Sequence, residues 1–299
     1  MKKSIFYLVS FLTGAVISVM VVANTELGRI TTNEVSLIVN QAIGVVLTTF
    51  ILLAGRKSEI INPARKKSRW YMYFGGLFGI CVMVCNFYSV LNVGSALAMA
   101  AAVFGQSLTG LVTDLFGLFS MPKRKQSTLK WISLALSFTG IFIMSLSQSG
   151  SFRLIYILMG VLAGIMTMLQ MTYNSSFAKA KGAVFSARQN AISGLAGTII
   201  YAALLMPEET LHGFTLLPSA SFLSIITGGT LAIVVVVSTN LVIPRIPAVY
   251  SALLLSCGQI LTSIVIDTFL YDLFSPSLLI GSLVMLAGIG LNFSADRKA

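Results

Sequence analysis

Amide and hydroxyl side chains interrupt two long apolar stretches of this chain, and they are its first candidates for chemistry. In AAVFGQSLTGLVTDLFGLF, Gln106, Thr109 and Thr113 follow a spacing of three and four residues, which places them on one helix face. Gln259 and Thr262 repeat the start of that pattern in LLLSCGQILTSIVIDTFLYDLF. Lipid cannot satisfy an amide, so both stripes must face protein or water. They either contact a ligand or hydrogen-bond neighbouring helices.

Asparagines form a second group of candidates. Asn40 and Asn190 lie about two helical turns inside their apolar runs, so they either contact a substrate or lock helices in pairs. Asn24 and Asn174 fall at predicted helix ends, where asparagine often caps. We therefore favour a capping role for this second pair.

Two acidic residues, Asp114 and Asp267, lie well inside apolar runs. A carboxylate in such a position could carry a proton that couples transport to a gradient. Neither residue falls at the predicted membrane midplane, however. A carboxylate that snorkels to the interface, or that caps a neighbouring helix, is therefore the favoured alternative.

Other reactive chemistry is scarce. Cys81, Cys85 and Cys257 all lie inside apolar runs, which does not favour disulfides or metal ligation, and His212 is the only histidine. The sequence contains no HExxH pair and no Walker A phosphate loop. It therefore predicts no catalytic residues, no metal, no cofactor and no enzyme.

The composition is that of an integral membrane protein. Hydrophobic residues make up 56% of the chain and charged residues 10%, whereas soluble domains carry about 25% charged residues. The apolar runs are continuous rather than alternating, which predicts helices and not barrel strands. The net charge of +11 would suggest a nucleic-acid partner in a soluble protein. Here the basic residues sit in short loops, so the charge is better explained by membrane orientation, and no nucleic-acid partner is expected.

Ten apolar runs approach the roughly 20 residues that a helix needs to cross the bilayer core. They cover residues 4–24, 33–54, 70–91, 95–117, 127–147, 153–173, 184–206, 221–242, 248–270 and 276–294. The longest connection, 55–69, is too short for a separate soluble domain. The predicted fold is therefore an all-α integral membrane protein with ten transmembrane helices.

Lysine and arginine give this arrangement an orientation. With the N-terminus in the cytoplasm, every lysine and arginine except Arg29 and Arg153 falls on the inside. The acidic segment PEETLHG at 207–213 falls outside. One missing span would invert all later loops, so this asymmetry supports ten spans and places both termini in the cytoplasm.

The chain also contains an internal sequence repeat, in which residues of the first half match residues of the second half. At a spacing of 150 residues the pairs are Gly14 and Gly164, Asn24 and Asn174, Ser36 and Ser186, Asn40 and Asn190, and Gly44 and Gly194. At a spacing of 153 they are Gly75 and Gly228, Gly76 and Gly229, Gly105 and Gly258, Gln106 and Gln259, Thr109 and Thr262, Asp114 and Asp267, and Phe116 and Phe269. The opening MKKSIFYLVS, with two lysines before an apolar run, resembles the start of a signal peptide. Because Gly14 and Asn24 belong to the repeat, however, we expect this segment to be retained as the first span.

The repeat predicts two inverted five-helix units. Residues 1–150 form the first, with a cytoplasmic N-terminus, and residues 151–299 form the second, which is inverted and has a cytoplasmic C-terminus. An odd number of spans makes the two copies enter the membrane from opposite sides. Carriers with such repeats place the substrate near midplane at the repeat interface and work by alternating access.

The motifs SLIVNQAIG, YFGGLFG and AAVFGQSLTGLVTDLFGLF, with weaker copies in the second half, resemble the drug/metabolite transporter (DMT) superfamily. The chain is most similar to a bacterial inner-membrane exporter family of five-helix proteins and their fused pairs. The resemblance implies a central cavity, peripheral fifth and tenth spans, a bacterial cytoplasmic (inner) membrane location and export as the direction of transport.

The sequence thus predicts a multi-pass secondary transporter that exports a small neutral or zwitterionic metabolite. The predicted substrate-binding residues are Gln106, Gln259, Asn40, Asn190, Thr109 and Thr262, and the candidate coupling residues are Asp114 and Asp267. Expected partners are a small-molecule substrate, the lipid bilayer and protons as a candidate coupling ion, with the chain acting as a monomer or homodimer. A flippase for lipid or lipid-linked substrates and a non-transporting sensor or scaffold remain alternatives, although the loops are too short for a signalling domain.

Overall fold

We describe the protein from a computed structural model, which covers residues 3–59, 61–63, 66–116, 128–146, 154–243, 245 and 248–298. In this part of the chain the regular structure is entirely helical. The helices are α1 (Lys3–Ile30), α2 (Asn33–Ala54), α3 (Leu77–Phe116), α4 (Thr128–Ser145), α5 (Leu154–Lys181), α6 (Ala183–Leu205), α7 (Pro207–Leu216), α8 (Phe222–Val242), α9 (Ala248–Leu270) and α10 (Pro276–Lys298). Short 3₁₀ turns occupy Trp70–Phe74 and Leu217–Ser219.

Several of these helices are long and apolar enough to cross a membrane. Among the described residues six meet both criteria, and a seventh does if α6 and α7, which are bent by 113°, form one broken span. The six are Ile5–Ile30, Asn33–Ala54, Trp70–Val112, Thr128–Ser145, Leu154–Lys181 and Phe222–Val242. The apolar segments found in α9 and α10, Leu254–Leu270 and Pro276–Leu291, are shorter. Each of the ten predicted runs falls on a helix or half of one, but the count of ten spans stays a prediction.

A break at Gly94 divides α3 in two. Gly94 has φ 79° and ψ 166°, a backbone conformation that glycine adopts without the steric penalty of a side chain. The break falls between the predicted runs 70–91 and 95–117. α3 therefore contains two helical segments that correspond to two predicted spans.

The chain forms two compact units that interleave in sequence. Unit 1 comprises Met1–Ser18, Tyr88–Met168 and Ile246–Ala299, and unit 2 comprises Val19–Phe87 and Leu169–Arg245. Each unit draws residues from both halves of the sequence. The division into repeats at 1–150 and 151–299 is a different division, and as a pair of domains it stays a prediction.

Glycines bring helices of unit 1 into close contact. A side chain at Gly14 of α1 would collide with the backbone of Leu255 in α9, and one at Gly258 would collide with the backbone of Phe11. Residue numbers rise along one helix as they fall along the other, so α1 and α9 run antiparallel. Small residues of this kind let membrane helices approach until their backbones touch.

The second half of α3 packs on α5 in the same manner. Gly164 lies against the backbone of Ala102, and Gly105 lies against the backbone of Val161. These helices are also antiparallel. Unit 1 is completed by an antiparallel pair, α4 and α10, in which Gly140 lies against Gly281.

Unit 2 is built around α2 and α6. Gly44 packs on Ala191 and Gly194 on Gln41, so these two helices are antiparallel as well. An apolar cluster of Leu52, Phe177, Val184 and Phe185 fills the space near one end of the unit. Large apolar side chains elsewhere are exposed, as expected for a surface that faces lipid; examples are Phe50 at 67% and Leu204 at 75%.

Candidate functional site

The two predicted glutamines meet inside unit 1. Gln106 lies with Nε2 3.5 Å from Oε1 of Gln259, the outer limit of a hydrogen bond. Gln259 is completely buried, whereas Gln106 is half-buried. The Nε2 of Gln259 has no hydrogen-bond partner among the described residues. A buried donor without a partner is costly, and a bound polar group would satisfy it.

Neighbouring residues explain why these side chains meet. Gly105 and Gly258, each one position before a glutamine, lock their helices against α5 and α1. The backbone carbonyl of Gln259 accepts a hydrogen bond of 2.8 Å from Ser18 Oγ, which ties α9 to α1 a second time. The glutamines therefore project from well-fixed helices, which is a requirement for a binding site of defined geometry.

In the described part of the chain, neither predicted threonine makes a hydrogen bond to the glutamines. Thr109 is buried, and its hydroxyl donates to the carbonyl of Gly105 at 2.9 Å, one turn back in its own helix. Thr262 lies half-buried, three residues after Gln259. Substrate contact by these two residues stays a prediction.

Asp267 acts as a helix cap. Its carboxylate accepts hydrogen bonds from the backbone N–H of Ser95 at 3.0 Å, from the backbone N–H of Ala96 at 2.7 Å and from the hydroxyl of Ser95. These groups begin the second half of α3, directly after the break at Gly94. This is the capping alternative that the sequence favoured. Asp114 lies in α3, with its side chain outside the described residues, and the coupling role of both aspartates stays a prediction.

Asparagines build two matching ladders in unit 2. Asn40 donates to Asn24 Oδ1 at 2.9 Å, and Asn174 donates to Asn190 Oδ1 at 2.8 Å. The hydroxyl of Ser36 donates to the backbone carbonyl of Asn24 at 2.7 Å, and the hydroxyl of Ser186 donates to the backbone carbonyl of Asn174 at 2.9 Å. Each ladder joins the C-terminal part of one helix to the next helix along the chain. Helix locking by Asn40 and Asn190 is thus observed, and their contact with substrate stays a prediction.

The expected capping role of Asn24 and Asn174 is wrong. α1 continues to Ile30 and α5 to Lys181, so both asparagines lie inside their helices and are buried. The helices outlast their apolar runs because polar residues such as those in NTELGRI and NSSFAKAK are compatible with helical backbone.

Three polar side chains were missed from the sequence. Gln170 donates to Asn190 Oδ1 at 3.0 Å, and Gln41 is buried against Gly194. Their repeat partners are Met20 and Ala191, so a search for matched polar residues passes over them. An unmatched amide inside an apolar run was the signal that could have found them.

The third missed residue is an acid. Glu34 lies in the first turn of α2 and is buried, and its carboxylate accepts a hydrogen bond of 3.4 Å from the hydroxyl of Tyr201 in α6. Glu34 was not a sequence-based candidate because it lies at the start of a predicted span and not inside one. A carboxylate in the first helical turn is favoured by the helix dipole.

Comparison with known families decides the identity of the chain. The family model described as "Putative inner membrane exporter, YdcZ" matches the chain twice, over residues 5–143 and 155–291. The chain belongs to this family. The DMT_YdcZ match confirms the predicted resemblance, the presence of two repeats and a multi-pass location in the inner membrane. The description of the family is that of an exporter, and exporters are not a class of enzymes.

A solved structure shares the fold of this chain. It bears only the description "Crystal structure of protein", and it superposes with a TM-score of 0.59 at 12% sequence identity over 99% of this chain and 98% of its own. At this identity the similarity concerns the fold alone. None of the curated proteins gives a significant match.

Proposed function

We propose that this chain is a secondary transporter that exports a small neutral or zwitterionic metabolite by alternating access. It would do so with ten spans arranged as two inverted five-helix repeats. Membership of an exporter family supports the general activity. The substrate, the mechanism and the binding residues are our proposal, and four kinds of structural observation support them.

The first support for inversion comes from unit 2. Gln41 contacts Gly194, and Gly44 contacts Ala191. At the repeat spacing of 150, Gln41 corresponds to Ala191 and Gly44 to Gly194, so each contact is the repeat equivalent of the other. Contacts that persist under this exchange indicate a two-fold axis. Because α2 and α6 are antiparallel, the axis lies across the helices, as expected for repeats of opposite membrane orientation.

Unit 1 supports the same symmetry independently. The contact of Gly14 with Leu255 corresponds to that of Gly164 with Ala102 under the repeat spacings. In each case the first span of one repeat packs on the fourth span of the other. Repeats that exchange helices in this way can exchange conformations with little difference in energy, which alternating access requires.

The observation that carries the site is the unpaired Nε2 of Gln259. It is fully buried, and its neighbour Gln106 supplies a second carboxamide within reach. Carboxamides bind uncharged donors and acceptors and carry no charge of their own. A neutral or zwitterionic substrate therefore suits this pair better than an ion does.

Proton binding would be coupled to transport through the start of the second α3 segment. A proton on Asp267 would remove an acceptor that the backbone of Ser95 and Ala96 uses, and so would loosen the start of the second α3 segment. That segment carries Gln106, three turns further on. Proton binding and substrate binding would then act on the same helix.

Reconstitution tests the proposed function. Purified protein in proteoliposomes is loaded with a panel of neutral, zwitterionic and charged metabolites, and release is followed with a proton gradient present and absent. We expect release of at least one neutral or zwitterionic solute above that of protein-free vesicles. Movement of labelled lipid between leaflets without solute flux would favour a flippase, and neither activity under any condition would contradict the proposal.

A further inference from the structure

Two carboxamides of unit 2 converge on the space above a single glycine. A methyl group placed on Gly79 of α3 would lie 3.0 Å from Nε2 of Gln170 and 3.6 Å from Nε2 of Gln41. Gln170 comes from α5 and Gln41 from α2, so three helices contribute to this place. Because Gly79 has no side chain, both amides lie close to the position that a side chain would occupy.

Hydrogen-bonding capacity in this space is left unused. Gln41 is 6% exposed, yet its side chain makes no hydrogen bond with any described residue. Gln170 donates through Nε2 to Asn190 Oδ1 at 3.0 Å and reaches the Gly75 carbonyl at 3.5 Å, which leaves its Oε1 without a partner in the described part of the chain. Gln41 is buried and Gln170 is half-buried, so a polar guest that used these free groups would gain hydrogen bonds here.

The internal repeat shows whether amides also occur at the positions equivalent to Gln41 and Gln170. The partner of Gln41 is Ala191, that of Gln170 is Met20, and that of Gly79 is Ala232. The asparagine ladders, which join helices, occur in both repeats, whereas this pair of glutamines occurs in one. The two halves of the sequence therefore share the ladder residues but not these glutamines, which distinguishes the glutamines from the side chains that join helices in both halves.

We propose that Gln41 and Gln170, above Gly79, form a binding site for a neutral group that both donates and accepts hydrogen bonds, such as a carboxamide or a hydroxyl. We name it the Gly79 site. The side chains that face it are uncharged carboxamides, with both a donor and an acceptor free, which matches such a group and disfavours an ion. This inference rests on the proposed transport function and narrows its substrate class.

Ligand binding to the full-length protein tests the site. Titration calorimetry in detergent uses L-glutamine, L-asparagine and L-serine as probes, with L-leucine as the amino acid that lacks a polar side chain. We expect at least one polar probe to bind wild type and leucine to bind at least tenfold more weakly. Binding of none of the three polar probes, or equal binding of leucine, would overturn the site.

Variants localise the binding. Gln41→Met keeps the side-chain volume, removes the free amide and breaks no hydrogen bond of the fold, so it is the cleanest change; we expect at least tenfold weaker binding of the polar probe. Gln170→Met should have a similar effect. Gln189→Met is the matched control, because Gln189 is half-buried in α6 and its amide lies 3.4 Å from the Tyr73 carbonyl. Wild-type affinity in both test variants, or equal losses in the control, would contradict the assignment.

Gly79→Ala separates binding from stability. Alanine is a better helix former than glycine, so the unfolding temperature should be unchanged or higher, while the added methyl narrows the site and weakens probe binding. Loss of binding together with a lower unfolding temperature would indicate a packing role instead. Solute flux through wild type in proteoliposomes, combined with no probe binding, would overturn the Gly79 site and leave the proposed transport function intact.

Discussion

The carboxylate of Asp267 accepts a hydrogen bond from the backbone N–H of Ala96 at a distance of 2.7 Å. The two residues are 171 positions apart, and the bond ties α9 to the start of the second segment of α3. A side-chain cap from a distant helix fixes where that segment begins, and the segment carries Gln106. The structure thus connects an acidic residue with the helix that presents the proposed substrate contact.

Loss of this cap should destabilise the protein. Asp267→Ala removes every acceptor from the N–H groups of Ser95 and Ala96, and removal of a helix cap typically costs about 1 kcal/mol. We expect a lower unfolding temperature in detergent, with a smaller decrease for Asp267→Asn, which keeps one oxygen. Asp272→Asn is the control, because Asp272 has φ 50° and asparagine accepts that conformation well. An unfolding temperature for Asp267→Ala equal to that of wild type would refute the capping role.

Proton coupling, if it depends on the two aspartates, should disappear when they are neutralised. In proteoliposomes, Asp267→Asn and Asp114→Asn should each retain downhill flux but lose the acceleration that a proton gradient gives wild type. Glu34→Gln provides a comparison with a buried acid whose carboxylate accepts a hydrogen bond from Tyr201 and contacts neither aspartate among the described residues. Full proton dependence in both aspartate variants would remove these residues from the coupling mechanism.

The glutamine pair of unit 1 should determine transport rate without determining the fold. Gln259→Met and Gln106→Met keep volume but remove hydrogen bonding, and the loss of one hydrogen bond of about 1.4 kcal/mol corresponds to a tenfold change. We expect kcat/KM for export to decrease at least tenfold in each variant, with wild-type yield. Thr139→Val is the control, since Thr139 is exposed and its hydroxyl donates to the carbonyl of Ala135 in its own helix. Unchanged flux in both glutamine variants would exclude the pair as the substrate site.

Replacing a glycine by alanine should destabilise the protein where two helices cross at that glycine, and should have little effect where the glycine has no close neighbour. Gly164→Ala places a methyl group against the backbone of Ala102, which cannot move away as a flexible side chain would. We expect a loss of stability on the order of 1–3 kcal/mol, as for overpacked cores. Gly110→Ala is the matched control on α3, because a methyl group there meets nothing within 4 Å. Equal thermal stability of the two variants would contradict close packing of α3 on α5.

Helix positions were largely predictable because apolar runs of membrane length leave little freedom. The predicted bounds 33–54 and 248–270 coincide with α2 and α9. The ends of α1 and α5 were not predictable from hydropathy, since their last turns are polar. α7 was expected to be part of an acidic loop, yet Pro207 at its first turn and Glu208 and Glu209 next to it favour a helix start.

The candidate site was only partly predictable. Matched polar residues identified Gln106 and Gln259, and the structure brings these two together. The partners of Asp267 could not be derived, because they are backbone groups that only the fold brings near. Gln41 and Gln170 were overlooked for the opposite reason, since the repeat that revealed other polar residues has apolar residues at their partner positions.

Opposite orientation of the two repeats is the claim on which the transport mechanism depends. Reporter tags fused at the N-terminus, at the C-terminus and between residues 150 and 151 of the full-length protein measure it directly in intact cells. We predict that both terminal tags lie in the cytoplasm and that the internal tag lies outside. Termini on opposite faces of the membrane, or an internal tag on the same face as the termini, would contradict the account.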